Sequence, residues 1–133
     1  MGALIDTSVL IDVERGRFSL GSLMARHGDE NVAISAITAS ELLHGVHRAP
    51  GGAQAARVES FVEGLLALLP VIAFDLAEAR AHARLSAELG AKGVSVGAHD
   101  LLIAATAIAN DLRVMTRDAR SFPRIRGLDV LRV

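Results

Sequence analysis

Ala3-Leu4-Ile5-Asp6-Thr7-Ser8-Val9-Leu10 opens on a short apolar run of strand character and breaks at an aspartate followed by two hydroxyl residues. Asp6, Thr7 and Ser8 are capping residue types, so the strand predicted over Ala3 to Ile5 turns directly into a helix reaching about Val13. Working outward, the same alternation recurs. Val32-Ala33-Ile34 precedes a helix entered through Ser35 to Thr38, which carries Glu41, Leu42, Leu43 and Val46 and ends at Ala49-Pro50-Gly51-Gly52. Val71 to Phe74 precedes a helix that Asp75 can cap and that Gly90 closes after Leu89. Val114-Met115-Thr116 delivers Asp118, and Asp129 to Val133 offers a last strand. Further helices are predicted near Leu20 to Arg26, over Ala53 to Leu69 with Pro70 as the stop, and over the almost wholly apolar stretch Ala98 to Ala109. Short buried runs alternating with longer amphipathic ones predict a parallel sheet flanked by helices.

At 133 residues the chain reads as one domain over 1–133, and 51% apolar with 22% charged residues is the balance of a folded core. The absence of cysteine excludes disulfides, thiolate nucleophiles, Cys-ligated zinc and iron–sulfur clusters. No run approaches the roughly 18 to 20 apolar residues of a membrane helix, and Asp6, Asp12 and Glu14 interrupt the only candidate leader, so a soluble, cytoplasmic protein is expected. The net charge of −1 does not announce a nucleic-acid binder, but residues 113–133 hold six arginines against two aspartates. With no Trp or Tyr and four Phe there is no aromatic platform for stacking bases, so nucleic-acid chemistry here has to rest on metal and backbone contacts.

Open parallel sheets place their sites beyond the carboxyl ends of the strands. Asp6 follows the first strand, Asp118 lies just past Thr116, Asp100 sits in the first turn of the apolar helix, and Glu41 sits early in the helix after the second strand. Four converging carboxylates repel one another unless a divalent cation neutralises them, which points to Mg²⁺, or Mn²⁺ in its place, on oxygen ligands. Each acid also has a plainer reading. Asp6 and Asp118 can be helix N-caps, Asp100 can favour the helix dipole, and Thr38-Ala39-Ser40-Glu41 matches a capping box.

Four blocks together carry a family resemblance: Ile5-Asp6-Thr7-Ser8-Val9-Leu10-Ile11, Ser40-Glu41-Leu42 with Gly45, His99-Asp100-Leu101-Leu102-Ile103-Ala104-Ala105-Thr106-Ala107, and Met115-Thr116-Arg117-Asp118 before Phe122. In order and spacing, over essentially the whole chain, they resemble the PIN-domain ribonucleases and in particular the VapC toxins. The resemblance implies a three-layer α/β/α fold with a central, mainly parallel sheet of four to five strands. It implies Mg²⁺- or Mn²⁺-dependent endonucleolytic cleavage of RNA, and a VapB antitoxin whose tail blocks the active groove. It makes Asp6 and Asp100 principal metal ligands and has Glu41 and Asp118 complete the catalytic cluster. Ser8, Thr116 and Arg117 become supporting or substrate-binding candidates. One departure is Ser121, where many relatives carry a further acid before the aromatic residue.

Hydrolysis by an activated water, expected to leave 5′-phosphate and 3′-hydroxyl ends, does not need the 2′-hydroxyl, so a preference for RNA has to come from shape. Arg117 and Arg120 flank Asp118 as candidate phosphate clamps, with solvated surface arginines as the alternative. Glu41-Leu42-Leu43-His44 is only half of a di-iron pattern, and His44 and His47 read as helix-surface residues, whereas His99 beside Asp100 reads as a groove residue. A phosphorelay receiver fold needs a lysine after a late strand, and the only lysine, Lys92, precedes the Asp100 helix. A PIN-like binding module and a free-standing RNA-processing nuclease are the remaining alternatives. The apolar faces of the helices over Ser40 to Val46 and Val58 to Leu69 lead us to expect a homodimer.

Overall fold

The computed structural model describes residues 2–28 and 30–133. Five strands, β1 (Ala3–Ile5), β2 (Val32–Ser35), β3 (Val71–Ile72), β4 (Arg113–Thr116) and β5 (Val130–Arg132), form one sheet in the order β3-β2-β1-β4-β5. Every pairing is parallel, so the sheet is wholly rather than mainly so. Helices α1 (Thr7–Glu14), α2 (Leu20–Arg26), α3 (Ala36–Arg48), α4 (Ala53–Leu68), α5 (Leu76–Ala91) and α6 (Ala98–Ala109) link the strands, with a short 3-10 helix at Phe122–Arg124. None of the described helices is long and apolar enough to cross a membrane.

Alternating strand side chains build two cores. Ala3, Ile5, Ile34 and Met115 face Val9, Leu10, Leu23, Leu42, Val62 and Leu65 from α1 to α4. Leu4, Ala33 and Val114 face the other way, against Leu85, Leu89, Ile103, Ala104 and Phe122. That period of two gives the three layers: helices α1 to α4, the sheet, then α5 and α6. The near-continuous apolar character of α6 is explained by its burial, Ile103 to Ala107 being closed off from solvent.

Most boundaries fall within a residue or so of those predicted, and two departures have a visible cause. Strand β3 stops at Ile72 instead of Phe74, because its partner Ser35 is the last residue of β2 and already caps α3, accepting from Thr38 N at 3.0 Å. Beyond it no partner backbone continues. Helix α5 runs through Gly90 to Ala91, and the glycine that ends it is Gly93 at φ 67°. Val94 N donates to Leu89 O at 2.9 Å and Gly93 N to Gly90 O at 3.2 Å, a Schellman closure that needs the left-handed residue at position 93.

At the other end of α5, the buried Glu78 accepts from Asp75 N at 2.8 Å with one oxygen and from Asn110 Nδ2 at 2.9 Å with the other. It thereby caps α5 and ties it to the end of α6. The Asp75 amide and the Asn110 side chain together hold its carboxyl below the usual carboxylate range. Its contribution is therefore present above the ordinary value of 4.5 and disappears as pH falls through the lower folded-state value. Glu78→Ala is expected to destabilise the fold by about 1–2 kcal/mol at pH 7. Urea melts at pH 7 and pH 3 check it, since the gap between variant and parent should shrink at the lower pH.

Candidate active site

The chain leaves β1 toward β2 and β3, then returns to the far side of β1 to lay down β4 and β5. The switch point of this sheet is thus the gap between β1 and β4, where ligand sites of open parallel sheets form. Asp6 sits there directly after β1, 3% exposed. It occupies the N-cap position of α1, yet its side chain does not cap. Instead Oδ2 accepts from Ser8 Oγ at 2.6 Å and from Thr116 Oγ1, across the gap, at 2.9 Å. Oδ1 takes no side-chain hydrogen bond among the described residues. Burial pushes the Asp6 carboxyl up, against the pull of the two hydroxyls, and the nearby Asp100 charge pushes it further.

Asp100, in the first turn of α6, is the member that feels the others. Burial raises its carboxyl first, the Ser121 hydroxyl opposes, the charges of Asp118 and Glu41 add to the rise, and His99 offsets part of it. The position that sequence reasoning marked as a missing acid therefore holds a hydroxyl beside Asp100. Gly97, the N-cap of α6, lies beside it: a Cβ there would stand 3.5 Å from Asp100 Oδ2, in ordinary contact.

Glu41 does not form the capping box with Thr38. Ser35 is the N-cap of α3 and Thr38 is buried within its first turn. The Glu41 carboxylate instead takes a proton from Thr7 Oγ1 at 2.7 Å on Oε1 and meets His99 Nδ1 at 3.3 Å on Oε2. Thr7 in turn lies 3.0 Å from Thr38 Oγ1, and Ser35 Oγ donates to Thr38 at 3.2 Å, so hydroxyls link the end of β2 to the acid. Thr7 escaped the sequence reading because a threonine in a first helical turn looks like a cap. Its place directly after the strand-ending Asp6 was the available signal.

Asp118 is not a helix cap either. Its Oδ1 accepts from Arg120 N at 2.8 Å, and its own N–H donates to Thr116 Oγ1 at 2.9 Å. Arg120 remains at the surface with a loose 3.8 Å approach to Asp118. Arg117, expected near substrate, is committed elsewhere. Its Nε meets Asp12 Oδ2 at 2.6 Å, its guanidinium lies 4.7 Å from the Phe18 ring centroid, and Nη1 donates to Val133 O at 3.3 Å. The guanidinium is thus engaged within the protein.

The four acids thus share one end of the sheet, and the charge of Asp100 is felt at Asp6 while those of Asp118 and Glu41 are felt at Asp100, but among the described residues no three Asp, Glu or His side chains close into a ready ligand shell. The donor set still fits a hard divalent cation: every ligand atom is oxygen, and among the described residues no Lys or Arg pairs with Asp6 or Asp100. Beside Glu41 and His99 a groove of about 1010 Å³ opens between α1, α3 and α4, with Arg15, Arg48 and Arg57 along its walls and Ile11, Val58 and Phe61 in its apolar part.

The sequence model of the PIN domain matches residues 3–128, nearly the whole of the fold just described. The chain belongs to the PIN domain family. This PIN domain is 36% identical over 133 residues to Ribonuclease VapC1 of Rickettsia felis, covering 100% of this chain and 97% of that protein. Its fold is similar to a solved VapBC2 from Rickettsia felis bound to a DNA fragment from its promoter, with a TM-score of 0.89 at 26% identity, covering 100% and 99% of the two chains. It is also similar to DNA-bound VapBC from Salmonella typhimurium, with a TM-score of 0.88 at 28% identity over 99% and 98%. The resemblance read from the four sequence blocks and the expected fold are both borne out.

Proposed function

We propose that this PIN domain is an endoribonuclease using a divalent ion, Mg²⁺ or Mn²⁺, at Asp6 and Asp100, and that it is the toxin of a VapBC-type toxin–antitoxin pair. The observation that carries the reading is the pair of carboxylates at the switch point, Asp6 buried and Asp100 half-buried, both unpaired with any basic side chain among the described residues. Full-length similarity to a VapC ribonuclease, and a fold shared with the chains of two VapBC complexes, support the substrate and the partner.

Asp6 and Asp100 would hold the ion, with Asp118 and Glu41 at its margins. Such an ion supplies positive charge that acidifies water and offsets the negative charge growing on phosphorus. The protein's own work is positional. Ser8 and Thr116 pin one oxygen of Asp6 and so fix its carboxylate. Thr7 and His99 fix Glu41, while Ser121 steadies Asp100 in its charged form. Arg15 and Arg48 give an RNA strand in the groove two cations to follow. Water attacks phosphorus and the 3′-oxygen leaves as the hydroxyl, so the products carry 5′-phosphate and 3′-hydroxyl ends. A VapB-like antitoxin is the protein partner, and a homodimer the proposed assembly.

The test is cleavage of a panel of structured RNAs by antitoxin-free protein in Mg²⁺, Mn²⁺ or EDTA, with end analysis of the products. Metal-dependent cutting that leaves 5′-phosphates is expected. A folded protein that binds neither ion and cuts no RNA in the panel would instead be a binding module.

A further inference from the structure

We propose that Arg117 is a positioning residue of the acidic site: it bolts the Thr116–Asp118 segment to α1 and so fixes the orientation of the Asp6 carboxylate. The inference rests on the metal-site reading above, and its first measurement is independent of any RNA.

Arg117 joins four parts of the chain. Its side chain reaches Asp12 in the second turn of α1, the ring of Phe18 in the connection to α2, and the carbonyl of Val133 after β5. Its backbone N–H donates to Ser8 Oγ at 3.2 Å. The side chain is one-third exposed, so its pairing with Asp12 is partly shielded from water and the 2.6 Å contact is charge-assisted on both sides. The planar guanidinium can lie over Phe18 while Nε points at Asp12, a combination an ammonium cannot make.

The consequence for Asp6 follows from which atoms share a donor. Ser8 Oγ accepts from Arg117 N and gives its own proton to Asp6 Oδ2. Thr116 Oγ1 accepts from Asp118 N and gives its proton to the same Oδ2. Both hydroxyl protons are thus directed by backbone amides of residues 117 and 118. If that backbone turns, the hydroxyls lose their acceptor roles and Asp6 loses the two bonds that fix its rotamer. The Arg117 side chain, anchored at three points, holds the backbone from which the arrangement hangs. Outer groups that orient metal-binding side chains are worth about 10- to 100-fold in metal affinity.

The experiment measures Mn²⁺ binding by the paramagnetic resonance of free Mn²⁺ for the parent, Arg117→Ala, Arg117→Lys, Asp12→Asn and the double variant. Steady-state cleavage of an RNA that the parent cuts is measured alongside. Arg117→Ala is expected to weaken Mn²⁺ about 10- to 100-fold and to lower kcat with little change in KM. Asp12→Asn should reproduce most of that loss, the double variant should be scarcely worse than Arg117→Ala, and Arg117→Lys should fall between. A raised KM with unchanged Mn²⁺ affinity, and a silent Asp12→Asn, would make Arg117 an RNA contact and overturn the proposal. So would a lowered Tm with kcat and Mn²⁺ affinity unmoved, since that is support of the fold alone. Should Arg117→Ala not fold, Asp12→Asn and Phe18→Leu carry the same expectation and the same refutation. If the parent binds Mn²⁺ but cuts none of the RNAs offered, the target RNA is missing from the panel and the affinity comparison alone decides this proposal.

Discussion

Replacing Asp100 or Asp6 with asparagine is expected to lower RNA cleavage by at least about 10²- to 10³-fold, the size of effect seen when one preorganised electrostatic group leaves an active site. The same variants are expected to be more stable, not less, when measured in EDTA. Burial raises both carboxyls above their ordinary values, more than the hydroxyls of Ser8, Thr116 and Ser121 lower them, and each acid's neighbours add to the rise. For a raised carboxylate the folded state holds its proton more tightly than the unfolded chain does. The associated stability is complete below the unfolded value of 3.8 and is lost as pH rises through the higher folded value, so at pH 7 both charges weigh against the fold. A neutral amide removes that penalty and can still offer Ser8 and Thr116 an acceptor oxygen at position 6. Mn²⁺ should then raise the Tm of the parent, by binding the folded state alone, and leave that of either variant nearly unchanged. Thermal melts with EDTA and with Mn²⁺ check both halves. Variants that melt lower than the parent in EDTA would mean that the carboxylates' hydrogen bonds hold the fold by more than their burial costs it.

Phe122→Ala carries the largest expected effect on stability, about 3–5 kcal/mol. The ring is fully buried in the core shared with Leu85, Ile103, Ala104 and Val114, which it enters from the short 3-10 helix. Against a total of about 5–15 kcal/mol for a typical domain, a loss of this size leaves a marginal fold. Phe122→Leu, which keeps most of the volume, should lose about 1.5 kcal/mol or less. The alanine variant also frees Ser121, the residue before it, whose hydroxyl stands beside Asp100. Urea denaturation gives the stability. An alanine loss below about 1 kcal/mol would show that the ring fills no irreplaceable space.

How far the sequence reaches is visible in these same residues. Asp6 and Asp100 could be picked out because each stands where a short apolar run gives way to a turn, or where an apolar helix begins, and both signals are local. Helix α2 runs from Leu20 to Arg26 as the pattern predicts, because its ends are marked by nearby capping residues. The capping reading of Glu41 was locally sound too, since a threonine three residues earlier is the right partner. It failed because Ser35 reached the helix end first and Thr7, 34 residues away, offered Glu41 a better-placed proton. Ser121 looked like an absent acid until the fold set it against Asp100.

What the sequence determined by itself was the alternation of apolar runs that demands a layered parallel fold, and the placing of acids at strand ends. Those depend on periodicities of two and 3.6 residues, which a linear pattern carries in full. What only the tertiary structure decided was which groups meet. Thr116 reaches Asp6 across 110 residues, and Arg117 turns from solvent to Asp12 and Phe18. The strand order β3-β2-β1-β4-β5 brings β4 back beside β1 and so fixes the first of these meetings. A hydrogen bond is made by distance and angle, and those exist only once the sheet has closed its register.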